Sequence, residues 1–163
     1  MRKISSSPRS DPAASGLSTA ESPAIAARPE ARLRLSALWT SLLFVFAYVD
    51  LFSLYRADVR ADIARGELAG FAIGPGFLLG VTLYIVPAAL MVCLTLVIAP
   101  RLARIANLCL APLYAVTVVA AAVGEWSYYV LASGVELALL SLIFGIARGA
   151  RDLAVPANRD VPR

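Results

Sequence analysis

Histidine is absent from this 163-residue sequence, lysine occurs once, as Lys3, and charged residues reach only 16%. Without histidine there is no Ser-His-Asp triad, no Cys-His pair, no histidine-ligated haem and no histidine-based zinc site. A single lysine in a terminal tail makes Schiff-base chemistry unsupported. The two cysteines, Cys93 and Cys109, each lie inside an apolar run. They read as small packing groups rather than redox partners, and two cysteines do not make a metal site. No metal and no cofactor is therefore expected.

What is present is apolar. Hydrophobic residues make up 60% of the chain and mean hydropathy is +0.75, whereas soluble domains carry about 25% charged residues. The length suits one domain. The composition describes a small integral membrane protein.

Residues 1–33 are of a different material. Ser5, Ser6, Ser7, Pro8, Pro12, Ser15, Ser18, Ser22, Pro23 and Pro29 are scattered among alanine and arginine. No apolar period runs through them, so the stretch is expected to be a disordered tail. No short apolar core follows the start, so it reads as a retained cytoplasmic tail rather than a cleaved targeting peptide.

Four apolar runs follow, at about 35–55, 73–98, 103–123 and 127–147. A hydrocarbon core of about 30 Å takes about 20 helical residues. The runs lack the alternation of barrel strands. The expected fold is an all-α bundle of four transmembrane helices over 34–148, with a short tail at 149–163.

Arginine placement predicts the orientation. Twelve basic residues fall in the N-terminal tail, the junction between spans two and three, and the C-terminal segment. The other side holds Arg56, Arg60 and Arg65, beside Asp58, Asp62 and Glu67. Both termini are thus expected in the cytoplasm, in a bacterial inner membrane. Trp39 reads as an inner-face interfacial aromatic; Tyr55, Trp126, Tyr128 and Tyr129 read as outer-face ones. Net charge of +4 follows from this topology, and no nucleic-acid partner is inferred. The first outer loop, 56–70, predicts a short interfacial helix ended by Gly66. It is either a lid over the bundle mouth or a solvated connector.

Two carboxylates sit inside spans: Asp50, in the outer half of span one, and Glu136, near the centre of span four. An ionisable group at bilayer depth costs about 2.5–3.5 kcal/mol on insertion scales and points to function, or to a hydrogen bond that holds helices together. Helical spacing puts Asp50 on a stripe with Thr40, Leu43, Ala47 and Ser53. Glu136 shares one with Tyr129, Ala132 and Ser133. Asn107, Ala111, Tyr114, Thr117 and Ala121 form a third. Gly76, Gly80, Tyr84 and Pro87 form a fourth. Tyr84, Tyr114 and Glu136 fall near one depth, with Asp50 about 8 Å further out at 1.5 Å per residue. The inference is a polar cavity that opens outward and is closed toward the cytoplasm by leucine and isoleucine. Ligand- or proton-binding candidates are Asp50, Glu136, Tyr84, Tyr114 and Asn107. Gly76 and Gly80 are candidates for helix packing, within the bundle or between copies. Pro87 and Pro112 are expected to kink their helices and free carbonyls.

The runs Leu35-Ser-Ala-Leu-Trp39 and Tyr48-Val-Asp50-Leu-Phe-Ser-Leu resemble the start of a family of small four-span bacterial membrane proteins of unknown function. The similarity continues through the Gly-rich stretch Gly70 to Gly80, Pro87, Arg104-Ile-Ala-Asn107 and Val135-Glu136-Leu, and covers about 33–148. The resemblance implies an acid two residues before the span-two proline. Here that position is Ile85. The family implies four helices and no activity.

The residues carry three functional readings. The first is a membrane-embedded binding or transport unit for a small lipophilic molecule or cation, oligomeric where a through-path is needed. The second is a structural or accessory subunit of a larger complex. The third, an enzyme acting on a lipid or quinone, has the least support in these residue types.

Overall fold

The structure is a computed structural model that describes residues 23–149, with side chains from residue 29 onward. Helix α1 spans Pro23–Ser53 and the short α2 spans Ala57–Ala64. A two-stranded hairpin follows, β1 (Glu67–Leu68) and β2 (Phe71–Ala72). Three long helices complete the chain: α3 (Pro75–Val97), α4 (Pro100–Ala121) and α5 (Ser127–Gly149). Four segments are long and apolar enough to cross a membrane: Pro29–Ser53 of α1, and the whole of α3, α4 and α5. The fold is all-α with four such helices, as the apolar runs predict. The 22 residues of α4 rise about 33 Å at 1.5 Å per residue, enough for a hydrocarbon core of about 30 Å.

The helices form a ring. α1 lies between α3 and α5, and α4 lies beside α5 and, more loosely, α3. Phe44, Leu83, Val97, Leu102, Val116 and Leu131 are each more than half exposed on its outside. In water such a surface would aggregate; in a bilayer it is the lipid-facing side.

One end of the ring, where α1 and α4 begin and α3 and α5 finish, is tied by arginine. Arg32 donates from Nε to the Thr95 carbonyl at 2.6 Å and from a terminal nitrogen to that of Ile98 at 2.5 Å. Arg104 donates from Nε to the Ala147 carbonyl at 3.0 Å. Each guanidinium thus serves carbonyls that a helix C-terminus leaves without intrahelical partners, at the negative end of its dipole. Pro75 and Pro100 open α3 and α4 at the position where a missing N–H costs least. We call this the basic end and the opposite one the loop end.

At the loop end, α2 stops where the sequence predicts, with Gly66 at a φ of +80° in the left-handed position that glycine enters without strain. The hairpin beyond it was not expected from the sequence. Its register is Glu67 opposite Ala72 and Leu68 opposite Phe71, so Ala69 and Gly70 make the turn. Their φ values are +51° and +78°, the handedness that two-residue hairpins require.

The core fills the basic half of the bundle. Trp39 and Leu42 of α1, Met91 of α3, Tyr114 of α4, and Leu140 and Ile143 of α5 are nearly or fully buried. Trp39 is at its centre. Its Nε1 donates to Asn107 Oδ1 at 2.7 Å, and its ring meets Tyr114 edge-on at 5.7 Å between centroids.

Several sequence expectations need correction. The tail expected to be disordered over 1–33 is helical from Pro23, because alanine-rich sequence continues α1 and Arg32 is anchored on α3. Residues 1–22 and the tail expected beyond Gly149 lie outside the described residues. Trp39 is not an interfacial residue, since it is fully buried and hydrogen-bonded. Cys93 and Cys109 are exposed on the bundle surface rather than packed inside it. Gly76 and Gly80 do not pack helices within the bundle, because a Cβ built on either meets no atom within 4 Å.

Candidate functional site

Above the core, in the half nearer the loop end, the four helices part around a cavity of about 230 Å³. α1 contributes Phe46, Val49 and Asp50. α3 contributes Val81, Tyr84 and Ile85. Thr117, Val118 and Ala121 come from α4, and Tyr129 and Glu136 from α5. The two intramembrane carboxylates therefore share one cavity. Among the described residues, no basic side chain lines it.

Glu136 continues the buried face of α5, which runs Ser133, Glu136, Leu140, Ile143, Ala147. Four of these five positions are the apolar or small groups that suit a helix interface; the carboxylate is the exception. Glu136 is only 5% exposed. Its carboxylate has no hydrogen-bond or ion-pair partner among the described residues, yet neither oxygen is sealed from the cavity. Asp50 likewise has no partner among the described residues and is exposed within the opening. Buried polar groups in folded proteins are nearly always paired. A carboxylate in a cavity wall is chemically able to take up a proton or pair with a cation.

Tyr84 and Thr117 form the cavity's side between α3 and α4. The Tyr84 hydroxyl and Thr117 Oγ1 are 2.7 Å apart and hydrogen-bonded. Thr117 Oγ1 donates to the Tyr114 carbonyl in the turn below it at 2.8 Å, so the Tyr84 hydroxyl is the donor to Thr117. Below, the Tyr114 hydroxyl donates to the Tyr84 carbonyl at 2.5 Å. Pro87 leaves the Leu83 carbonyl without its helical donor, and the Tyr114 hydroxyl is received one residue further on, at Tyr84.

Three of the five candidate residues, Asp50, Tyr84 and Glu136, line the cavity, and two do not. Tyr114 is 2% exposed and its hydroxyl is engaged on the Tyr84 carbonyl. Asn107 is fully buried nearer the basic end. Its Oδ1 accepts from Trp39 and its Nδ2 donates to the Ala103 carbonyl at 2.8 Å. Both bind helices together and form the floor rather than the site. Sequence reading missed Phe46 as a wall residue, although it stands one turn before Asp50. It placed Tyr129 both among the outer-face aromatics and on the Glu136 stripe, and the stripe position is the one that lines the cavity. Ile85, the position where the family resemblance implies an acid, is also a wall. The second acid of this cavity is Asp50 on α1 instead.

The seam between α1 and α5 is fastened at the loop end. Arg56 donates to Glu125 at 2.5 Å and to Asp58 at 2.7 Å, and its guanidinium lies 4.6 Å from the centre of the Trp126 ring. Ser53 Oγ and the Tyr128 hydroxyl are 3.0 Å apart. No residue of α2 or the hairpin lines the cavity, and α2 has no buried residue. The first loop is a tethered connector rather than a lid.

This fastening carries a pH dependence. Hydrogen bonding to Arg56 holds the Asp58 carboxyl below its ordinary value of 3.8, while Asp58 first and Glu125 second push the Arg56 guanidinium up. Arg56 stays charged throughout. A carboxyl lowered on folding contributes stability above its unfolded value and loses it as pH falls through the lowered one. A spin label at Ala64→Cys, with Cys93 and Cys109 replaced by serine, should show unchanged mobility from neutral pH down to about pH 4 and rising mobility below. Arg56→Gln should be mobile at every pH. Equal mobility in the two proteins at neutral pH would mean that Arg56 does not hold the loop.

Residues 27–153 match the profile of a family of unknown function, DUF6326. The chain belongs to this family. No curated protein and no solved structure matches it. The DUF6326 match spans all four long helices and therefore every residue of the cavity. The DUF6326 protein described here is a multi-pass membrane protein by the length and hydropathy of those helices.

Proposed function

We propose that this DUF6326 protein is a membrane-embedded cation-binding unit that serves transport, with Glu136 and Asp50 as its charged ligands and Tyr84 at its side. The observation that carries this reading is Glu136: 5% exposed, without a partner among the described residues, in the wall of a cavity that holds a second carboxylate and no basic residue. Holding such a group at bilayer depth costs free energy. A proton or a cation at the carboxylate offsets that cost, and the two compete for the same place. The basic end faces the cytoplasm of a bacterial inner membrane in this reading, by the distribution of arginine. The cavity then opens to the outer half of the bilayer. A through-path is completed by a second copy. The accessory-subunit reading would use Glu136 as glue, but the bonds that join helices among the described residues belong to other side chains, Trp39, Asn107, Tyr84 and Tyr114 among them.

The test is a titration of the full-length protein in lipid nanodiscs with tetraphenylphosphonium, a permanent cation. Saturable binding is expected, tightening as pH rises because protons compete for the carboxylates. Glu136→Gln should weaken it about a hundredfold, the scale of losing one partner of a buried charge pair. An affinity unchanged in the Asp50→Asn, Glu136→Gln double variant would return the protein to the accessory reading.

A further inference from the structure

Two of the four seams of the bundle, α1–α5 and α3–α4, are closed to different degrees beside the cavity. The α1–α5 seam is fastened at the loop end by Arg56 on Glu125 and by Ser53 with Tyr128. The α3–α4 seam has no such fastening. Two hydrogen bonds join α3 to α4 among the described residues, and both are made at Tyr84. From Tyr84 toward the loop end, α3 buries nothing: its buried residues are Ala88, Met91 and Thr95, all beyond Pro87. Val81 is 45% exposed and Tyr84 is 37% exposed although both line the cavity, and Ala121, facing them from α4, is exposed as well. Gly76 and Gly80, in the first turns of α3, have open space around them. The outer part of α3 thus stands off α4, and the gap lies along the side of the bundle that lipid would cover.

The lining fits a ligand with a charged head and an apolar body. Asp50 and Glu136 supply negative charge. Phe46, Tyr84 and Tyr129 supply ring faces that attract a cation and tolerate an apolar group. Val49, Ile85 and Val118 supply the rest of the wall.

The geometry points to an amphiphilic organic cation as the ligand, entering sideways from the lipid between α3 and α4, with the Tyr84–Thr117 hydrogen bond as the closure of that entrance. This rests on the cation-binding reading of the cavity. In it, the ligand partitions into the bilayer first, and its head reaches Glu136 without crossing the Arg56 fastening. The bond at Tyr84 is made by two side chains that carry no charge, so it opens without exposing an ion to lipid.

The test separates binding from entry. Full-length protein in nanodiscs is mixed in stopped flow with dodecyltrimethylammonium, and separately with tetramethylammonium, which has the same head and no apolar body. Wild type should bind the first much more tightly than the second. Val81→Trp and Ala121→Trp, which fill the α3–α4 gap from either side and leave both carboxylates in place, should each slow association of dodecyltrimethylammonium about tenfold. Thr117→Val should speed association, with Glu136→Gln as the control that lowers affinity. Arg56→Gln, which loosens the other seam, should leave the association rate unchanged. Association unaffected by both tryptophan variants, or accelerated only by Arg56→Gln, would overturn the lateral entrance while leaving cation binding intact. Equal affinity for the two ammonium ions would overturn the amphiphilic ligand. Failure of wild type to bind any of the three cations, tetraphenylphosphonium included, would overturn the cation reading itself.

Discussion

Trp39→Ala should cost this protein about 3–5 kcal/mol of stability, the usual range for removing a fully buried large aromatic. Trp39 has no exposed surface. It touches Tyr114 edge-on at 5.7 Å between ring centroids and donates to Asn107 across the bundle at 2.7 Å. Between helices in lipid, association comes from van der Waals packing and hydrogen bonds, because lipid tails are as apolar as leucine. Losing the indole therefore removes packing outright, at the level where α1, α4 and α5 meet. The hydrogen bond is the smaller part. Such bonds average about 0.6 kcal/mol between membrane helices, with about 1.7 as an upper value. Trp39→Phe separates the two contributions. It keeps a ring near Tyr114 but leaves Asn107 Oδ1 without its donor, and should cost about 1–2 kcal/mol. Adding Asn107→Leu to Trp39→Phe should recover part of that loss by removing the orphaned oxygen. The measurement is unfolding in mixed micelles as the sodium dodecyl sulfate fraction rises, followed by helical circular dichroism. A cost below about 1 kcal/mol for Trp39→Ala would mean that the bundle is not centred on this residue.

Trp39 also marks where the sequence stopped being legible. The four long helices were readable because the bilayer sets their length and excludes most charge over that length. The faces of α4 and α5 were readable because few polar groups interrupt them: Asn107, Ala111 and Tyr114, and Ser133 and Glu136, are buried as their spacing implies. The face of α1 was misread by about one position. Its polar residues drew the stripe through Thr40, Leu43, Ala47 and Asp50, while the buried side runs through Leu35, Trp39, Leu42 and Val49. Thr40 Oγ1 and Ser41 Oγ donate to carbonyls one turn back, at 2.9 and 3.0 Å. A hydroxyl satisfied by its own helix is free to face either way, so it does not mark the inside. Where every face is apolar, hydropathy cannot tell lipid from neighbouring helix. For Trp39 the deciding partner is Asn107, 68 residues further along the chain. Gly76 and Gly80 misled for a related reason. Their spacing permits close approach of a helix but does not bring one, and no helix of this bundle is there. By contrast, the depths of Asp50 and Glu136 could be counted along rigid helices from topology and rise per residue, but that the two share one cavity comes from the packed bundle alone.

Glu136→Leu should stabilise the fold by about 1–3 kcal/mol while removing cation binding, and the sign is what matters. A buried polar group without a partner loses its hydration on folding and regains nothing, a penalty of about 1–3 kcal/mol and more if it is charged. Glu136 is in that position: 5% exposed, facing a cavity, with no partner among the described residues. Its neighbours along the buried face are Leu140 and Ile143, so leucine extends an apolar surface into space already present and creates no clash with a basic group. Micelle unfolding suits the comparison, because it reads Glu136→Leu and Asn107→Leu against the same unfolded reference. If Glu136 were instead a cross-helix fastening, the same substitution would destabilise, as Asn107→Leu alone should do by stranding the Trp39 indole. The pair of variants therefore sets two roles against each other within one bundle. Asn107 is a polar residue retained for what it bonds to. Glu136 is a polar residue retained at a cost in stability, and sites that keep such a cost are those where activity needs the unsatisfied group. Loss of stability in Glu136→Leu comparable to that in Asn107→Leu would end the ligand-binding reading of the cavity. A gain, together with lost tetraphenylphosphonium binding, would tie the strain at Glu136 to the ligand that relieves it.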